Sequence, residues 1–95
     1  MEYIIQCDDE KQQIEVLQKL EKEGYSWRYS GAPTNFVPIS EYPWGKTIIT
    51  HPNMQLSYAG DSPQSKERAK EKYQNSHKFV TGSEYLGHLG RKVIL

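Results

Sequence analysis

Two histidines raise the first chemical question. His51, inside His51-Pro52-Asn53, and His77, after a long polar stretch, are side chains that exchange protons near neutral pH. Such a pair could act as acid and base in phosphodiester cleavage, with Lys46 or Arg28 steadying the developing charge. Ser, His and Asp are all present, but no Gly-x-Ser-x-Gly elbow frames a serine. Cys7, His51, His77 and His88 are scattered, with none of the short spacings of a structural zinc site. Gly45-Lys46-Thr47 matches the end of a phosphate-binding loop, which also needs a glycine five residues before Gly45; Ser40 stands there. The expected reading is surface histidines and one small buried thiol, with no catalytic residue, no metal and no cofactor.

Aromatic and basic residues carry the stronger signal. Phe36, Tyr42 and Trp44 fall in residues 32–45, a segment holding Pro33, Pro38 and Pro43 and closed by Gly45. Three prolines in so short a span argue against a central strand or a helix and predict an ordered loop. Rings held in such a loop cannot all reach a core already supplied from elsewhere. Some could cap its edge; otherwise they are placed to stack on a base or anchor a partner. Arg28 and Lys46 would supply charge from nearby strand ends. A second basic segment, Lys66, Arg68, Lys70 and Lys72, is interrupted by Glu67 and Glu71. Its default reading is a solvated face, and its sharper reading is contact with phosphates.

These residues need elements to position them. Tyr3-Ile4-Ile5-Gln6-Cys7 reads as a strand, followed by the acidic helix start Asp8-Asp9-Glu10. Ile14, Val16, Leu17 and Leu20 then share an arc of about 160° at helical spacing, and Gly24 stands where a left-handed cap belongs. Tyr25, Trp27 and Tyr29 alternate with Ser26, Arg28 and Ser30, predicting a strand whose three rings pack on that helix while Arg28 points away. Thr47–Thr50 and Met54–Tyr58 flank the turn and form an antiparallel hairpin. Ser62-Pro63 opens a segment with only Ala69 and Tyr73 to bury, so residues 62–78 are expected to be a loose helix or a mobile loop. Thr81-Gly82-Ser83-Glu84 is a capping box that starts a short helix ended by Gly90, and Val93-Ile94-Leu95 is expected to add an edge strand, either to its own sheet or to that of a neighbouring copy. The fold class is therefore α+β: one amphipathic helix on a small, mainly antiparallel sheet, with a short C-terminal helix.

Composition limits the rest. Ninety-five residues make a single domain, and an apolar share of 36% with a mean hydropathy of −0.82 is thin for building a core. A second copy would relieve that shortage, so a homo-oligomer is expected. Net charge is zero, but residues 1–24 carry seven acids and three bases while residues 25–95 carry five acids and nine bases. Neither half is charged enough for a DNA mimic or a strong non-specific DNA binder, which makes nucleic acid a lesser partner. One cysteine allows no internal disulfide. The start Met1-Glu2-Tyr3 lacks signal-peptide regions, and no apolar run nears the roughly 20 residues of a membrane helix, so a cytoplasmic protein without a membrane partner is expected.

The stretches "VLQKLEKEGYSW", "TIITHPNMQLSY" and "SEYL" together resemble short accessory proteins encoded by phages and prophages of Gram-positive bacteria. That resemblance implies an anti-defence role in the host cytosol, either sequestering a nucleotide messenger or occluding an immune protein. The expected function is thus a non-catalytic protein that holds a nucleotide-type ligand through Arg28, Phe36, Tyr42, Trp44 and Lys46. Docking on a host defence protein is the first alternative, and nucleic-acid binding through residues 66–72 the second.

Overall fold

Tyr3-Ile4-Ile5 and Thr47-Ile48-Ile49-Thr50 each set two isoleucines in succession, so a pleated strand must show one to either face. Both faces are in fact covered. The structure, a computed structural model, describes residues 2–87. Its elements are β1 (Glu2–Gln6), α1 (Glu10–Lys22), β2 (Ser26–Trp27), a 3-10 turn (Pro33–Asn35), α2 (Pro38–Glu41), β3 (Thr47–Thr50), β4 (Gln55–Ala59), α3 (Pro63–Tyr73) and β5 (His77–Thr81). Residues 82–87 are helical. The fold is α+β.

The sheet is mixed, in the order β2-β4-β3-β1-β5. β3 runs antiparallel to β1 and β4, whereas β1–β5 and β2–β4 are parallel. One crossover, β1-α1-β2, runs toward one edge of the sheet, and the other, β4-α3-β5, runs toward the opposite edge. Crossovers of one hand travelling in opposite directions place their helices on opposite faces. The packing follows: Ile5 and Ile48 lie with Val16, Leu17 and Leu20 of α1, while Ile4 and Ile49 lie with Ala69 of α3.

α1 is capped at both ends. Asp9 accepts from the Gln12 amide, and Gln12 Oε1 accepts from the Asp8 amide. At the other end Gly24 takes φ 96°, and the Gly24 and Tyr25 amides close back on the Glu21 and Leu20 carbonyls. Complete burial of Val16, Leu17 and Leu20 is worth roughly 1.5–3 kcal/mol each. Ile14 of the predicted stripe is only half-buried; Gln13 takes the inward position beside it.

Several expectations are corrected. The strand predicted over Tyr25–Tyr29 ends after Trp27, because Trp27 and Gly31 exchange backbone hydrogen bonds around a tight loop. Trp27 is buried as expected, but Tyr29 sits at the loop tip, 88% exposed, and packs on nothing in the core. Residues 32–45 are not free of helix. Pro33 and Pro38 stand in the first turn of two short helical segments, where a missing amide hydrogen costs nothing. Met54 lies in the hairpin turn at φ 65°, outside the strand. Of the two alternatives for residues 62–78 the helix forms, as α3 capped by Ser62 with Ala69 alone buried. What was not expected is β5, which begins at His77 and pairs along the whole of β1. The capping box holds, with the Glu84 amide donating to Thr81 Oγ1 and the Thr81 amide to Glu84 Oε1. The helix stop at Gly90 and the edge strand Val93-Ile94-Leu95 lie outside the described residues.

Candidate functional site

A polar side chain buried in the helix–loop interface positions the aromatic loop. Gln13 is fully buried; its Nε2 donates to the Gly45 carbonyl (2.8 Å) and its Oε1 accepts from the Ile39 amide (2.9 Å). The two ends of the Tyr42–Trp44 segment are thereby tied to α1. Inside it, the Tyr42 amide donates to the Pro38 carbonyl and the Gly45 amide to the Tyr42 carbonyl. The chain is close-packed at Gly45, where a Cβ would stand 3.2 Å from Pro38 Cβ and from two backbone oxygens.

The loop so held presents Tyr42 and Trp44, 41% and 49% exposed, stacked at 4.9 Å with planes 24° apart. Tyr58 of β4 completes a trio, 6.2 Å from each and within 25° of parallel. β2 pairs only with Gln55 and Leu56, so among the described residues β4 has no neighbouring strand on that side from Ser57 onward, and Tyr58 stands at that edge. Trp44 reaches across that edge to Gly60, where a Cβ would come within 3.4 Å of its ring. Lys46 pairs with Asp61 at 3.5 Å along the same rim. Beyond it an open groove of about 480 Å³ runs between β4 and α3, lined by Tyr58, Gly60, Ser65, Arg68, Lys72 and Tyr73 among others.

The predicted site residues divide. Tyr42, Trp44 and Lys46 come together. Phe36 turns inward and packs edge-on against Trp27 at 5.3 Å, so it is part of the core. Arg28 stands in the exposed loop after β2, with its guanidinium 5.3 Å from the Tyr29 ring. The basic segment splits across α3: Arg68 and Lys72 line the groove beside Tyr58, whereas Lys66 and Lys70 line an adjoining cleft that shares Ala59, Gly60, Ser65 and Ala69 with it. Helical spacing predicts that split, but only the tertiary placement of α3 shows which half lies toward β4. Tyr58 was missed as a site residue, since its open edge depends on how short β2 is.

The two histidines also meet. Their rings are 5.9 Å apart, with Tyr73 beside both. His77 Nε2 donates to the Thr50 carbonyl, leaving Nδ1 to accept from Ser76 Oγ. Both nitrogens are spent on the protein, so His77 offers no free lone pair to a substrate. His51 Nε2 bonds Ser57 Oγ. Burial, the neighbouring His77 and Lys72 of α3 hold His51 below its ordinary value of 6.5, with Glu2 opposing. A folded state that binds protons less readily loses stability as pH falls below that ordinary value. Unfolding free energy should therefore drop on acidification from about pH 6.5, and His51→Gln should flatten that slope in urea melts. A further loss belongs to Glu2. Burial raises its pKa, but the Thr50 and Tyr25 hydroxyls outweigh that and hold the carboxyl below 4.5, so its loss comes only at lower pH.

Cys7 is buried, and burial pushes its thiol up to about 12, so it stays protonated and packs as a small apolar group. Among the described residues no three His, Cys, Asp or Glu side chains gather as a metal site, and no helix is long and apolar enough to cross a membrane. Gly45-Lys46-Thr47 leads into β3, not a helix, and Thr47 is buried in the sheet. No family model matches this chain, and neither the curated proteins nor the solved structures include one significantly similar to it.

Proposed function

We propose that this protein binds a nucleotide-type ligand, its base on Tyr42 and Trp44 and its phosphates toward Arg68 and Lys72. One observation carries the reading: two half-exposed, near-parallel rings stack at the sheet edge, and Trp44 packs toward Gly60, which lines the groove that Arg68 and Lys72 flank. Exposed aromatic surface held rigid by a buried hydrogen-bonded side chain suits stacking on a flat, π-rich partner. Sequestration, the role implied by the resemblance to phage accessory proteins, needs no catalytic group. Nucleic acid is less well served, because α3 sends its cations to two flanks with Glu67 and Glu71 between them.

Calorimetric titration with cyclic dinucleotides and ADP-ribose derivatives tests the reading. Trp44→Ala should weaken the best of them by about 5- to 100-fold, the range for one lost stacking contact. Arg68→Gln with Lys72→Gln should weaken binding and reduce its dependence on salt. No heat with any of these ligands overturns it. Recovery from host lysate of a protein that stays bound in high salt would assign the same rings to docking on a defence protein.

A further inference from the structure

α3 should pack poorly, and its sequence says why. Only Ala69 is buried along it, with Tyr73 partly so; Ser65, Ala69 and Tyr73, four residues apart, make up the face turned to the sheet. A methyl and a hydroxymethyl cannot fill the space over a β-sheet, whose partners ordinarily pack about 10 Å away. The remainder is a cleft of about 130 Å³ between α3 and the sheet. Its floor is apolar, from Ile4, Ala59, Ala69 and Phe79, and Phe79 is 40% exposed. Its rim holds Lys66 and Lys70, one helical turn apart, and neither forms an ion pair among the described residues. Glu67 and Glu71 line a neighbouring shallow groove, which Lys70 and Phe79 also border, and neither acid lines the cleft itself. Gln6, which also lines the cleft, accepts from Thr47 Oγ1 through its carbonyl oxygen, and its amide nitrogen has no protein partner among the described residues.

We propose that this cleft binds a small amphipathic monocarboxylate, with the apolar body over Ile4 and Phe79 and the carboxylate between Lys66 and Lys70. The size is right: a dry cavity of about 150 Å³ accepts benzene, so this one takes a chain or ring of about six carbons. The charge is also right, because two like cations at the mouth of an apolar space are relieved by one anion. Gln6 Nε2 is a spare donor for the second carboxylate oxygen. The cleft adjoins the groove of Arg68 and Lys72, with Ala59, Gly60, Ser65 and Ala69 common to both, but neither Tyr42 nor Trp44 lines it.

Titration of the full-length, isotope-labelled protein with sodium hexanoate tests this by amide chemical shifts. Hexanoate should move Ile4, Ala59, Ala69 and Phe79 and bind at least about tenfold more tightly than acetate or 1-hexanol. Lys66→Gln with Lys70→Gln should cost hexanoate about tenfold and leave hexanol unchanged. Ala69→Leu fills the space and should abolish hexanoate binding without lowering the melting temperature. Absence of shifts at these residues, shifts gathered at Tyr42 and Trp44, or unchanged binding in the double lysine variant each overturn the proposal.

Discussion

Gln13→Leu is expected to cost about 2–4 kcal/mol of folding stability and to disorder the aromatic loop. The side chain is fully buried and satisfies two backbone groups, the Gly45 carbonyl and the Ile39 amide, over sequence separations of 32 and 26 residues. Leucine fills similar space but leaves both groups unpaired, and each orphaned buried group costs about 1–3 kcal/mol. The loop ends would then separate from α1, and the Tyr42–Trp44 stack with them. Urea denaturation measures the first effect, and ligand titration the second. Gln13→Glu sharpens the test. A protonated glutamic acid can still donate to Gly45, whereas the carboxylate meets the carbonyl oxygen with a like charge. The folded state therefore raises that carboxyl's pKa, so stability is retained below about pH 4.3 and lost as pH rises above it. A Gln13→Glu protein as stable at pH 7 as at pH 4, relative to wild type, would show that this hydrogen bond does not hold the loop.

Trp27→Ala is expected to cost about 3–5 kcal/mol, the range for removing a large buried aromatic, out of a total of about 5–15 kcal/mol for a domain of ordinary stability. Trp27 is 6% exposed, donates through Nε1 to the Pro33 carbonyl at 2.8 Å, and meets Phe36 and Tyr58 edge-on. Its loss removes the surface on which Tyr58 rests, so ligand affinity should fall along with stability. Trp27→Phe keeps most of the ring and loses the indole donor, and should cost only about 1–3 kcal/mol. Equal costs for the two variants would assign the effect to the hydrogen bond and not to packing. A cost under about 1 kcal/mol for alanine would remove Trp27 from the core altogether.

Sequence reading succeeded where the deciding contacts are local. Asp9 and Gly24 bracket α1, Thr81 and Glu84 form their box, and Ser62 caps α3 within three residues. Tyr42 and Trp44 stay accessible because a proline-held loop outside the sheet has little core to enter. It failed where a distant partner decides. Tyr29 continues a period of two, yet Gly31 folds the chain back on Trp27 and leaves that ring in solvent. Phe36 lies in the same loop as Trp44 but fills the gap beside Trp27.

The amino-acid order alone determined the α+β class, the first helix with its caps and the β3–β4 hairpin. Each depends on side chains within a few residues of one another. Tertiary structure decided the rest: the parallel docking of β5 on β1, the placing of α3 on the second face, the meeting of His51 with His77, and the groove that Tyr58, Arg68 and Lys72 line together. His77–Thr81 is short and half polar, and nothing within it names its partner. The doubled isoleucines of β1 and β3 did call for a second cover, but which helix supplies it depends on crossover geometry, a property of the whole chain path.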